Sequence, residues 1–211
     1  MADRTRPHRL TDLVHHDRAT IDAILDEALT CHVGFVRDGH PVVIPTIHAR
    51  IGDTLYLHGS VAAGNLREMR DGIEVCLTAT IVDGIVAARS LFNSSMNYRS
   101  VVVFGRARPV TDPGERTGAL RAISEHVLPG RWDDARHASR SEDLKTMIVA
   151  IAMEEASAKV SVGPSDDDDE DLALSIWAGV IPLETIAGVP VADPHLRADI
   201  ATPDYIARYR P

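Results

Sequence analysis

Ser94-Ser95-Met96-Asn97-Tyr98-Arg99-Ser100 runs without a break into Val101-Val102-Val103-Phe104-Gly105. Hydrogen-bonding side chains crowd the mouth of an apolar, β-branched segment, which reads as a long strand over 100–110. A strand with apolar residues directly behind its polar end can hold those polar groups rigidly for a ligand. The same pattern suits a plain strand entry after a turn, so the neighbouring segments decide between the two.

Working outward, three turn signals follow one another. Asp38-Gly39 separates the runs 33–37 and 42–47, Gly52-Asp53 separates 47–51 and 55–58, and Asp83-Gly84 separates 75–82 and 85–89. Each pair tolerates positive φ and so closes a tight hairpin. Hairpins in series, with few helices between them, predict an antiparallel meander or barrel. Asp17 ahead of Ile21, Ile24, Leu25 and Ala28 predicts an N-capped amphipathic helix. Asp112-Pro113 opens a second helix, with Leu120, Ile123 and Val127 on its inner face and Leu128-Pro129-Gly130 as its stop. A short helix is expected over 62–71 and another from Ser141, and Thr146–Met153 is apolar enough for a core strand. Residues 1–16 read as a flexible lead-in. The stretch from Gly163 onward reads as a loop-rich extension, and no segment repeats.

Composition narrows the function classes. The 211 residues are 45% hydrophobic, enough to build one sizeable core. The formal net charge of −9 argues against nucleic acid and anionic membrane as partners. Cys31 and Cys76 sit in apolar contexts and read as buried free thiols of a reducing compartment. No secretory signal or spanning apolar run is present, so a cytoplasmic location is expected. The run Asp166-Asp167-Asp168-Asp169-Glu170-Asp171 lacks the spaced ligands and central glycine of a calcium loop and reads as a solvated, mobile loop.

Dinucleotide-fold, P-loop, nucleophile-elbow and zinc-protease motifs are all missing. The ten histidines make metal worth testing. A two-residue turn at Gly52-Asp53 would set residue 48 opposite 57, placing His48 and His58 on opposite sides of the sheet, where they cannot share an ion. His58-Gly59-Ser60 ends its strand against the expected 62–71 helix, with Asn65 and Arg67 early in it. Free N–H groups at such a start favour an anion such as phosphate, and a plain strand–turn–helix corner gives the same pattern.

Leu55-Tyr56-Leu57-His58-Gly59-Ser60, taken with Tyr98-Arg99-Ser100-Val101-Val102-Val103-Phe104-Gly105, resembles the flavin-binding split-barrel superfamily. Within it, the closest resemblance is to the pyridoxamine 5′-phosphate oxidase-related branch that includes the nitroimidazole-resistance reductases. The hairpin order, the 112–128 helix, Leu128-Pro129-Gly130 and Ser157-Ala158-Lys159 extend the resemblance over 17–162. The segment Trp177-Ala178-Gly179-Val180-Ile181-Pro182-Leu183 resembles a subset of that branch.

The resemblance implies a mainly β fold with flanking helices, a six-stranded antiparallel FMN-binding split β-barrel. The organisation would be a lead-in over 1–16, the flavin domain over 17–162, and an extension over 163–211 packing on the barrel. It implies a homodimer with FMN at the interface. Ile44, Pro45 and Thr46 would run along the isoalloxazine edge. His58 would be the catalytic residue, with Gly59 and Ser60 beside the flavin and Asn65 and Arg67 at its phosphate end. Arg89, Ser90, Asn97, Tyr98, Arg99 and Ser100 would hold the ring, ribityl chain or phosphate, with Lys159 and Trp177 completing the set.

The chain departs from the oxidase proper at Val61-Ala62-Ala63-Gly64-Asn65, where a basic phosphate clamp is replaced and the first cation is Arg67. FAD, deazaflavin and haem therefore stand as alternatives to FMN. The implied activity is a flavin-dependent oxidoreductase acting on a small organic substrate. The alternative is a non-catalytic flavin- or haem-binding sensor or carrier.

Overall fold

A computed structural model describes Arg4 and residues 11–62, 68–69 and 72–211. Its strands are β1 (Val14–His15), β2 (Cys31–Arg37), β3 (His40–Thr46), β4 (His48–Ile51), β5 (Thr54–Ser60), β6 (Glu74–Ala87), β7 (Ser95–Pro109), β8 (Thr146–Ala152), β9 (Glu155–Ser161) and β10 (Gly179–Pro182). The two longer helices are α1 (Arg18–Glu27) and α2 (Pro113–Val127). Every pairing is antiparallel.

The hydrogen-bonded path runs β3-β2-β6-β7-β8-β5-β4. Its two ends, β3 and β4, are joined through the single residue Ile47, so the path returns on itself as a barrel. β7 is the spine. Residues Tyr98–Phe104 pair with β9, and Ala107–Pro109 then pair with β8. This is the mainly β split barrel that the sequence predicts, with ten strands among the described residues in place of six. β1 and β10 are among the additions. β1 lies in the expected lead-in and pairs with Lys159 and Ala158.

One core fills the barrel. Ile21, Ile24 and Leu25 of α1 pack on Val33, Leu55, Leu57, Leu77, Val101 and Val103. Burying each of these α1 side chains contributes about 1.5–3 kcal/mol. Asp17 caps the helix, its Oδ1 accepting from Thr20 N at 2.9 Å. A second, smaller core lies under α2, where Ala119 and Ile123 meet Ala49, Tyr56, Ile148 and Ala150. β5 and β8 therefore bury both faces, which is why Thr146–Met153 reads as a continuous apolar run.

Two of the three turn signals hold. Asp38 and Gly39 take φ of 48° and 77° and close β2 onto β3, and Gly52, at φ 57°, closes β4 onto β5. Asp83-Gly84 is different, because β6 continues straight through it as a fourteen-residue strand. The register steps from Val82↔Tyr98 to Gly84↔Asn97, leaving Asp83 as a β-bulge. Gly84 is needed here for space. A Cβ would lie 3.0 Å from Ile181 O and 3.0 Å from Val180 Cγ1 of β10. The third hairpin instead turns at residues 88–94. Cys76, expected to be buried, is half-buried opposite Phe104, whereas Cys31 is buried, and both are free. No helix among the described residues is long and apolar enough to cross a membrane.

Candidate functional site

The β3–β4 crossing and the end of β5 meet at one mouth of the barrel. Thr46 pairs with Cys31, and His48, two residues on, pairs with Leu57. Ile44, Pro45 and Thr46 thus lead into the strand that pairs with β5, whose end carries His58, Gly59 and Ser60. Those three pair with Ile148, Met147 and Thr146 of β8. Ser60 Oγ accepts from Ala62 N at 3.1 Å, fixing the exit from β5.

His58 is half-buried, and its Nδ1 is enclosed without a hydrogen-bond partner among the described residues. Burial holds its pKa below the ordinary imidazole value. It is therefore neutral at pH 7, with a ring nitrogen available to donate, accept or ligate.

His48 faces the other way, as the register requires. It is fully buried, and its Nε2 lies 2.9 Å from Leu25 O. A carbonyl only accepts, so Nε2 carries the proton. His126 stands with its ring centroid 5.0 Å away and bonds Ala28 O through Nε2 at 3.0 Å. Together they satisfy carbonyls at the C-terminal end of α1, a structural task. Among the described residues, no group of three or more His, Cys, Asp or Glu is placed to hold a metal ion.

The polar strand mouth divides between two faces. Tyr98 and Ser100 point outward, beside Ser161 and Lys159 of β9, with Lys159 Nζ 5.5 Å from the centroid of the Tyr98 ring. Lys159 makes no ion pair with any described residue. Arg99 turns to the opposite face and is tied down by two carboxylates. Its Nε and Nη2 donate to Asp83 at 2.9 and 2.7 Å, and Nη2 also donates to Glu27 at 2.8 Å. These bonds hold its pKa above the ordinary guanidinium value. Glu27, Asp83 and Glu184 line the same 750 Å³ cavity as Arg99, an unfavourable setting for a phosphate.

A third group lies at the far tip of the β6–β7 ribbon. The six residue steps from Thr80 to Val86 carry the ribbon roughly 20 Å beyond Ser100. Arg89 N and Nη1 donate to Asp167 at 2.8 Å each, and Ser165 Oγ donates to the same carboxylate at 2.9 Å. Burial pushes the Asp167 pKa up, but these accepted bonds outweigh it and leave the pKa lowered. Ser90 Oγ accepts from Asn93 N, and Asn97 Nδ2 donates to Gly163 O. Trp177 is exposed and lies over Gly179. The acidic run is thus anchored at its second residue and is not a freely solvated loop.

The structure puts Ile44, Pro45 and Thr46 at the end of β3 against β2, puts His58, Gly59 and Ser60 at the end of β5 against β8, and groups Tyr98, Ser100 and Lys159 on the outer face. It leaves Arg89, Ser90 and Trp177 at the ribbon tip, Asn97 partway along the ribbon opposite Gly84, and Arg99 in an ion network with Asp83 and Glu27. Asn65 and Arg67, with most of the expected 62–71 helix, lie outside the described residues. Sequence reasoning missed the role of Asp167, since nothing in a run of like charges marks one member as buried. It also missed the His48–His126 clasp, whose partners lie far apart in the chain.

Residues 17–160 match the family described as Pyridoxamine 5′-phosphate oxidase. The structure of the flavocytochrome Anf3 from Azotobacter vinelandii is similar at a TM-score of 0.93 and 37% identity, covering 99% of this chain and 97% of that one. The FAD and heme binding protein from Mycobacterium smegmatis is similar at 0.88 and 37%, covering 92% and 95%. A proposed 5-nitroimidazole antibiotic resistance protein from Bacteroides thetaiotaomicron shares the fold at 0.59 and 24%, covering 70% and 86%. No protein in the curated set matches the chain.

Proposed function

This chain belongs to the pyridoxamine 5′-phosphate oxidase family, and on that premise we propose that it binds a flavin nucleotide (FMN or FAD) together with a haem. It would work as an oxidoreductase toward a small organic substrate, as two copies with the cofactors at their seam. The observation that carries this reading is the 37% identity, over nearly the whole chain, to a flavocytochrome and to an FAD and heme binding protein.

The residues present suit both groups. His58 offers a half-buried neutral imidazole with an unpartnered Nδ1, which is the form an iron ligand requires. His48 is fully buried and spends its Nε2 on Leu25 O, so it does not compete. Ile44, Pro45 and Thr46 offer a strand edge for the isoalloxazine, and Gly59 and Ser60 flank His58. With Arg89 and Arg99 tied to carboxylates, Lys159 is the described candidate cation left for a flavin phosphate. The bound flavin would supply the redox chemistry, while the protein orients it, hydrogen-bonds the ring and excludes water. His58 can also hold or deliver a proton at the barrel mouth.

The test is spectroscopic. Protein purified and then supplied with FMN, FAD and haemin should become yellow and show a Soret band, and a nicotinamide donor should bleach the flavin colour. His58→Ala should abolish or shift the Soret band while leaving flavin uptake intact. A protein that takes up none of the three would refute the reading.

A further inference from the structure

The chain between α2 and β8 folds back over a cavity of 680 Å³. Leu120 of α2 and Met147 and Ile148 of β8 line it from the barrel, and Trp132, His137 and Leu144 line it from the covering chain. His58 stands opposite Ile148, so this space belongs to the cofactor site proposed above. None of residues 129–145 is buried. The cover is therefore held by polar bonds and not by a core of its own, the condition under which a segment opens without global unfolding.

Its fastenings come from two directions. From the barrel side, Glu125 of α2 accepts from Gly130 N at 2.7 Å and Trp132 N at 2.9 Å, and Arg116 donates to Asp143 at 2.7 Å. Within the cover, His137 Nε2 donates to Trp132 O at 3.2 Å, with the two rings 4.6 Å apart. From outside comes Tyr205. Its hydroxyl donates to Asp134 at 2.6 Å and accepts from Arg131 Nη1 at 3.1 Å. One oxygen thus bridges both ends of the single helical turn, Arg131–Asp134, that carries Trp132. The Tyr205 ring rests on Gly130, which takes φ 87°. A Cβ at Gly130 would lie 3.3 Å from Tyr205 Cγ, so the glycine that stops α2 also makes the seat for this ring. Tyr205 arrives on an extended strap. Residues 183–203 form no strand or helix, and Ile186, Val189 and Val191 within them are exposed. Lifting Tyr205 therefore unpairs no strand.

We propose that Tyr205 is a positioning residue for the cofactor site. Through Arg131 and Asp134 it holds Trp132 and His137 against the cavity, and its release opens the cavity to exchange. The inference rests on the cofactor reading of the preceding section and adds how that site is closed. A hydroxyl shared between two charged groups is a strong enough bond for its loss to raise opening roughly ten-fold.

Tyr205→Phe keeps the ring on Gly130 and removes the hydroxyl. The first measurement needs no cofactor. Amide hydrogen exchange at Gly130, Trp132 and Ala135 should quicken roughly ten-fold, with exchange in β5 and β8 and the urea midpoint unchanged. Asp134→Ala should act alike, and the double variant should add little to either. The second measurement loads the chain with haemin and follows its transfer to excess apomyoglobin. Tyr205→Phe should speed release roughly ten-fold and shift the Soret band, effects that a merely structural tyrosine would not produce. Unchanged exchange at 130–135 would overturn the clip. Quickened exchange with unchanged haemin release would overturn its role at the site. A chain that takes up no haemin would refute haem binding, and exchange at 130–135 would then decide the clip by itself.

Discussion

His48 is held at a pKa of about 4, chiefly by burial, with the His126 ring adding to the shift and the Leu25 carbonyl and Asp26 opposing it. The unfolded chain would titrate this group near 6.5. As pH falls, the unfolded state takes up the proton first, so stability present above about pH 6.5 is lost progressively toward pH 4. His58, also lowered by burial, acts in the same direction. The loss attributable to His48 is about 3 kcal/mol. The urea midpoint should therefore drop between pH 7 and 4.5, and His48→Gln should flatten that dependence. A wild-type midpoint constant over this range would contradict the assignment.

Arg99 and Lys159 separate two jobs that the sequence merged. Arg99 joins α1, through Glu27, to the β6 bulge, through Asp83. Arg99→Ala leaves those carboxylates facing one another and should cost about 1–2 kcal/mol in denaturant unfolding, with flavin affinity unchanged. Lys159→Ala should do the reverse, with little effect on stability and a roughly ten-fold loss of flavin affinity by fluorescence titration. From the chain alone, Tyr98-Arg99-Ser100 reads as one polar cluster. Strand alternation sends its middle member to the other face, and only the bulge at Asp83 shows what waits there.

At the scale of elements, local chemistry predicts the fold well where one residue decides the outcome. Asp17 and Asp112 cap their helices as expected, and Asp38-Gly39 makes its turn. Asp83-Gly84 misleads because the same dipeptide serves a turn or a bulge, and the choice is made by β10, nearly a hundred residues downstream. In the structure Gly84 gives room to β10 and Asp83 is re-aimed at Arg99. Gly84→Ala would press a methyl group against Ile181 O and should cost about 1–3 kcal/mol, with β10 lifted from β6. Hydrogen exchange at Val180 and Ile181 would report that lifting, and unchanged protection would refute it.

Across the whole molecule, the extension from Gly163 is fastened to the barrel through Asp167 and β10, and near its end through Tyr205, whose hydroxyl donates to Asp134 at 2.6 Å. The sequence offers little sign of this, because loops held by single side chains have no period to read. Asp167→Ala strands a partly buried arginine and should cost about 2 kcal/mol, after discounting for the water that still reaches Arg89. Faster exchange over 86–96 would check it.

The closure of the barrel through Ile47 also has a kinetic side. β2–β3, β4–β5 and β6–β7 can each zip locally, but the ring is complete only when Thr54 finds Ala152 and Ser60 finds Thr146. That late, long-range docking of β8 carries most of the loop-closure entropy and makes slow folding the expectation. Until β8 arrives, β5 is an uncovered apolar edge. A nascent chain therefore stays vulnerable to edge-to-edge association until Thr146–Ala152 has left the ribosome, and substitutions in β8 should harm yield on expression more than they harm the stability of what does fold.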